Sequence, residues 1–174
     1  MTTSPSSANP PLTGPVEDYL KAIYDLERDA HPASTNDIAE RLAISPASVS
    51  GMMRRLAEQG LITHEPYRGA RLTTDGRRAA LRTLRRHRIL ECYLTEVLGY
   101  PWDRVHDEAE RLEHAASEEL IERMADALGN PLHDPHGAPI PSREGVVEET
   151  TRRTLSDVGA GENVRVDAHR DHWA

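Results

Sequence analysis

Apolar residues at positions 16, 19, 20, 23, 24 and 26 recur every three or four steps, so VEDYLKAIYDLERD reads as a helix over 16–29 with one buried stripe. HPAS breaks the pattern. STNDIAERLA resumes it behind a Ser/Thr cap, with Asp37 in its first turn and an end near Leu42. ISP then offers Ser45 as an N-cap and Pro46 as the first helical residue of ASVSGMMRRLAEQ, which Gly60 terminates. LITHE and ARLT are short extended segments around PYRG, a hairpin with a basic tip. From Thr74, a capped start, a long helix runs towards Leu98. GYPWD interrupts it, and VHDEAERLEHAASEELIERMADALG reads as one further helix. The Pro/Gly-rich NPLHDPHGAPIPSREG closes the compact part near Pro141.

Two short helices, a tight turn and a hairpin make a winged helix-turn-helix over 15–75, and the helices of 76–141 form a second, all-helical unit. The expected fold is therefore mainly α. Residues 1–14 read as a disordered tail and 142–174 as a linker with a further segment. Leu94, Val97, Leu98, Leu112, Leu120, Ile121 and Met124 are expected to supply core and pairing contacts in the second unit.

Composition narrows the picture. Phe is absent and aromatics make up 4% of the chain, so the core must come from Leu, Ile, Val, Met and Ala, which suits packed helices. No apolar run approaches the ~18 residues of a membrane span, and the opening residues lack a signal pattern. A cytoplasmic location is expected. Cys92 is the only cysteine, which excludes an internal disulfide or an all-thiolate zinc site. It reads as a small core residue. His31, His64, His133, His136, His169 and His172 read as exposed loop or terminal residues.

The net charge of −8 is unevenly spread. Arg54 to Arg88 carries ten arginines against three carboxylates, and Glu91 to Asp126 carries eleven carboxylates against three arginines. A basic block followed by an acidic one suggests one surface for a polyanion and another for cations. In the winged helix, Ser45, Ser48 and Ser50 stand at the N-terminal end of the second helix, where the dipole favours phosphate. Arg54 and Arg55 follow one turn later, and Arg68 sits in the wing. Shape and charge together point to the DNA major groove and its backbone. Gly51 removes a side chain from a position that could have reached a base edge.

Within the acidic block, HDEAERLEH places His106, Glu110, Glu113 and His114 within an arc of roughly 100° on one helix. A solvated charged face, an acid/base cluster and a metal site all fit that spacing. One helix cannot surround an ion, but His87 and Glu91 form an i, i+4 pair on the preceding helix, and Asp18 lies on the first.

EDYLKAIYDLE, SVSGMMRRLAEQGLI, RRHRILECYL, VHDEAERLEH and DPHGAPIP together resemble the diphtheria-toxin-repressor family of metal-dependent transcription regulators, most closely its manganese-transport-regulator subgroup. The resemblance spans roughly 15–145. It implies a homodimeric repressor of metal-import genes, not an enzyme, that binds a palindromic double-stranded operator, the helical unit serving metal binding and dimerisation. It also implies a primary ion held at Asp18, Glu110, Glu113 and His114, and a second at His87, Glu91 and His106. Iron-type members carry Met and Cys where this chain has Asp18 and Glu110. Two carboxylates there favour Mn²⁺, with Fe²⁺ the alternative. Members that bind a closely bridged pair of ions use a Glu where this chain has Lys21, so separated sites or a single occupied site are expected. TLSDVGAGENVRVDAHRDHWA (154–174) resembles the opening of the family's SH3-like domain, and an incomplete one is expected. A winged-helix regulator that senses an organic ligand or a protein partner, and a helical-bundle metal enzyme, are the rival readings.

Overall fold

The structure is a computed structural model that describes residues 12–27, 31–65, 68–147 and Gly159. In chain order it contains α1 (Gly14–Glu27), α2 (Thr35–Arg41), α3 (Pro46–Glu58), β1 (Ile62–Glu65), β2 (Gly69–Leu72), α4 (Thr74–Glu96), α5 (Val105–Glu113) and α6 (Glu118–Ala127). Hydroxyl caps open four of the helices. Ser34 accepts from the Asp37 N–H, Ser45 from Ser48, Thr73 from Gly76 and Ser117 from Leu120. Each cap contributes about 1 kcal/mol.

The turn between α2 and α3 passes through Ala43 at φ 52°, a left-handed conformation that costs a non-glycine residue about 1–2 kcal/mol. Gly60, at φ 71°, ends α3 without that cost. β1 and β2 pair antiparallel from Ile62↔Leu72 to Glu65↔Gly69, and Ala33 adds a single bridge to Ala70. At the start of α4 a Cβ on Gly76 would lie 1.9 Å from the Leu61 carbonyl oxygen, so only glycine lets the helix begin against the strand entry.

Two apolar clusters organise the chain. Val16, Leu20 and Ile23 of α1 pack with Ile38, Val49, Met53, Leu56 and the first half of α4, at Ala80, Leu81 and Leu84. Ile89, Leu90 and Leu94 of α4 pack with Val105, Ala109, Ile121 and Ala125. The clusters thus change over within α4, which runs through both as a common strut.

The expected helix after GYPWD is two helices. α5 stops at Glu113, and Ser117 caps α6 after a short turn. The long helix α4 ends at Glu96, two residues short of Leu98. Leu12 already packs on the first cluster and Gly14 belongs to α1. Residues 1–11 of the expected tail and the SH3-like segment lie outside the described residues, apart from Gly159. No helix among the described residues is long and apolar enough to cross a membrane.

Candidate metal centre

Three helices bring His and carboxylate groups to the boundary between the two apolar clusters. α1 contributes Glu17, Asp18 and Lys21, α4 contributes His87 and Glu91 one turn apart, and α5 contributes His106, Glu110 and Glu113. His114 follows directly, as the residue that terminates α5.

These groups form two clusters, Asp18/Glu113/His114 and His87/Glu91/His106, each with its ligand atoms within 4.8 Å of one another. In the first, His114 Nε2 lies 2.8 Å from Asp18 Oδ1 and 3.5 Å from Glu113 Oε1. Glu17 Oε2 lies 2.7 Å from His114 Nδ1, and a carboxylate can only accept there. Asp18 accepts from Nε2 in the same way, so without an ion both ring nitrogens donate to carboxylates, and Nε2 is the atom that an ion between Asp18 and Glu113 would take. Arg86 holds Glu17 in place at 2.5 Å.

In the second cluster, Glu91 Oε1 lies 3.0 Å from both His87 Nε2 and His106 Nδ1. Glu113 joins the two clusters. Its Oε2 lies 2.6 Å from His87 Nδ1 while its Oε1 faces the first cluster, and its side chain is fully buried.

Charge is balanced inside this boundary. Burial alone would push the Glu113 and Glu91 carboxyls up, but the imidazoles beside them, and Lys21 beside Glu113, hold both below the usual range. Burial opposes protonation of His87, yet Glu113 and Glu91 outweigh it and raise its pKa. Against the same opposition, Glu17, Asp18 and Glu113 raise that of His114. Asp18 is raised, chiefly by burial, against the pull of His114 and Lys21. Lys21 Nζ donates to Glu113 Oε1 at 2.7 Å and to Glu110 Oε1 at 3.2 Å. Burial would lower its pKa, and the two carboxylates raise it instead.

The seven expected ligands converge here, but not all in the expected groups. Glu110 stands outside both clusters with its side chain half exposed, engaged by Lys21 and 3.8 Å from His106. Glu113 is buried at the centre of the arrangement between Lys21 and His87, while Glu110, on the same side of α5, stays at the rim. His136, expected to be exposed, is buried. Its Nε2 lies 3.9 Å from Glu91 Oε1, and its ring packs edge-on to Trp102. The cause is tertiary: Arg88 pairs with Asp134 at 3.2 Å and donates to the Pro139 carbonyl, which pulls the 134–139 loop inward. Asp134 also receives the His136 and Ala138 N–H groups.

Cys92 is buried and donates to the His133 carbonyl. Burial, with Asp134, Glu96 and Glu91 nearby, pushes its thiol up to about 12. Both clusters therefore offer only oxygen and nitrogen donors, a set that fits a hard or borderline divalent ion such as Mn²⁺ or Fe²⁺.

On the winged helix, the candidate reading head, Ser45, Ser48, Ser50, Arg54 and Arg55 are all exposed at or along α3, and Arg68 is exposed beside the hairpin. Ser45 is engaged as the cap, its Oγ 2.9 Å from that of Ser48, and Ser50 donates to the Pro46 carbonyl. Arg68 pairs with Glu65 at 3.1 Å, both largely exposed. The basic block is not one surface. Arg85 pairs with Glu122, Arg86 with Glu17 and Glu118, and Arg88 with Asp134, so its C-terminal part is taken up by carboxylates of the protein itself, two of them in the acidic block.

Comparison with known proteins gives a consistent result. Residues 11–70 match the family profile "Iron dependent repressor, N-terminal DNA binding domain", and 73–142 match "Iron dependent repressor, metal binding and dimerisation domain". The chain is 39% identical to the iron-dependent repressor IdeR of Mycobacterium leprae (strain TN) over 150 residues, 86% of this chain and 60% of that protein. It is 35% identical to the diphtheria toxin repressor of Corynebacterium efficiens over 160 residues, 89% of this chain and 70% of that protein. Among solved structures, a manganese-dependent transcriptional repressor in complex with manganese superposes with a TM-score of 0.75 at 46% identity, covering 83% of this chain and 66% of that one. The chain spans about 60% of the length of the first curated relatives it matches.

Proposed function

Because the chain belongs to the iron-dependent repressor family, we propose that it is a DNA-binding transcriptional repressor activated by a divalent metal ion, Mn²⁺ first and Fe²⁺ second. One observation carries this reading. Asp18, on the helix that packs against the reading head, and Glu113 and His114, at the end of α5, present ligand atoms within 4.8 Å of one another. An ion bound there supplies positive charge shared by both units, and that charge offsets the repulsion among the carboxylates.

The chain's own residues do the rest. Asp18 transmits the restraint to α1, whose Val16, Leu20 and Ile23 share the first apolar cluster with Val49, Met53 and Leu56 of α3. Glu17 orients His114, and Arg86 fixes Glu17. Glu110 is the fourth candidate ligand at this centre. His87, Glu91 and His106 would hold a second ion, with His136 as a neighbouring imidazole the sequence reading had set aside.

The exposed Val97, Leu98, Tyr100, Trp102, Leu112 and Leu120 suit a face that pairs two chains. Pairing would set two α3 helices at a spacing matched to the half-sites of a palindromic operator. Ser45, Ser48, Ser50, Arg54, Arg55 and Arg68 would then meet phosphates and groove edges. A cytoplasmic setting suits this role.

Metal must bind the DNA-competent arrangement better than the looser one, and a coupling of ~1–3 kcal/mol changes occupancy roughly 5- to 150-fold. The test is a gel shift on the DNA upstream of the chain's own gene, at fixed salt, with Mn²⁺, Fe²⁺, Zn²⁺ or EDTA. Retention with Mn²⁺ and release by EDTA is expected. Equal retention in EDTA would defeat the proposal.

A further inference from the structure

Among the described residues, no apolar cluster holds members of both α1 and α5. Val16, Tyr19, Leu20, Ile23 and Tyr24 of α1 lie in the first cluster, and Val105 and Ala109 of α5 lie in the second. Their connections are polar. Two of them, from Asp18 and Glu17, end on the His114 ring, which is partly open to solvent. The third is buried: Lys21 is 8% exposed, and its Nζ reaches Glu113 at 2.7 Å and Glu110 at 3.2 Å. Lys21 stands three residues after Asp18, so both side chains leave the same side of α1. Glu113 Oε1, which accepts from Lys21, also lies 3.5 Å from His114 Nε2. One carboxylate oxygen therefore serves the lysine and the first cluster together.

From this juxtaposition we propose that Lys21 is a resident cation of the first centre, an ammonium that clasps α1 to α5 without any divalent ion and restricts that centre to a single one. The inference rests on the metal-binding reading above. An ammonium is a compact charge on a flexible stem that stays attached to the chain. It neutralises Glu113 from the α1 side, opposite His87, and it repels whatever ion shares that carboxylate. Its removal thus has opposite effects on two readouts. The standing clasp is lost, while Glu113 Oε1 is released to an incoming ion. A residue that merely supported the local structure would weaken both.

The test compares the full-length wild type with Lys21→Met and Lys21→Arg. Thermal unfolding in EDTA reads the clasp, and equilibrium dialysis with MnCl₂ reads the centre. Lys21→Met is expected to melt earlier in EDTA yet bind Mn²⁺ about tenfold more tightly. Lys21→Arg, which keeps the charge, is expected to stay within about threefold of wild-type Mn²⁺ affinity. Unchanged or weaker Mn²⁺ binding by Lys21→Met, or an unchanged midpoint in EDTA, would overturn the proposal.

Should Lys21→Met fail to fold, Glu110→Gln removes the half-exposed end of the clasp. It is then expected to speed amide exchange in α1 and α5 of the EDTA-treated protein, and exchange at wild-type rates would count against the clasp. A wild type that takes up no Mn²⁺ defeats the metal reading instead, and the EDTA measurements still judge the clasp.

Discussion

Glu113→Gln removes one charge from the centre of the site while almost preserving its shape. The Glu113 side chain is fully buried, with Lys21 Nζ at 2.7 Å on one oxygen and His87 Nδ1 at 2.6 Å on the other. A glutamine can accept from only one of these, because its amide nitrogen is itself a donor. Lys21 or a protonated His87 is then left facing a donor inside the protein. Breaking a buried pair by removing one partner costs about 3–5 kcal/mol. At about 2–4 °C per kcal/mol for a chain of this size, the midpoint in EDTA should fall by roughly 6–20 °C. That loss is a large part of the 5–15 kcal/mol typical of a folded domain, or about a third at its upper end. Asp18→Asn is the control. Its side chain is 40% exposed, so solvent screening limits the loss to about 1 kcal/mol or less. The assay is circular dichroism on the EDTA-treated proteins at neutral pH. If Glu113→Gln melts within 2 °C of wild type (about the noise expected from a sub-kcal/mol change), or no lower than Asp18→Asn, the charge-balance argument is refuted.

Three further outcomes follow from the same geometry. His87 and His114 have folded pKa values above the ordinary 6.5, so the stability they contribute is fully present below that value and fades as pH rises through the folded ones. Glu91 and Glu113 lie below the ordinary 4.5, so theirs is present above it and fades on acidification through the folded values. The midpoint in EDTA should therefore be highest between these two ranges and decline on the alkaline side, where Mn²⁺ uptake rises. A midpoint that climbs steadily from pH 6 to 8 would contradict the assignment (a window of about 2 units around the histidine range). Arg54→Ala and Arg55→Ala should each weaken DNA retention evenly across sequences and reduce the salt slope by about 1, and an unchanged slope would remove them from the phosphate contacts. Cys92, with its thiol pushed up to about 12 and buried, should resist alkylation in the native protein and react once the chain is unfolded. Rapid native labelling would show that the thiol is not enclosed as described.

Local chemistry made much of this structure legible. Ser45 before Pro46 and the positive-φ Gly60 bound α3 where the sequence places them, because capping needs only neighbouring residues. The candidate ligands came from the resemblance, and six of the seven stand together in the two groups it implies, with Glu110 alone apart. On a helical wheel Glu110 and Glu113 look alike. The difference arises because α4 and α1 close over Glu113, whereas Glu110 stays at the rim. The break after α5 was missed because the apolar period continues across it. Ser117 followed by Glu118 and Glu119 was the available signal, a capping hydroxyl with acidic residues in the first turn. His136 had no such signal. A Pro/Gly-rich loop reads as surface, and only the distant Arg88 draws it in. Lys21 read only as the residue that stands where members with a bridged ion pair carry a Glu. Its hydrogen bonds to two carboxylates across the helix boundary depend on how α1 and α5 approach each other, which no spacing along either helix contains.

The central claim is that metal occupancy and DNA binding are linked through Asp18. Linkage is reciprocal, so DNA must raise metal affinity by the factor by which metal raises DNA affinity. The direct measurement is a Mn²⁺ titration of the full chain with and without saturating DNA from upstream of its own gene. Half-saturation should move to a Mn²⁺ concentration at least about fivefold lower when DNA is present, and Asp18→Ala should abolish the shift. Superimposable curves for the wild type would contradict the account.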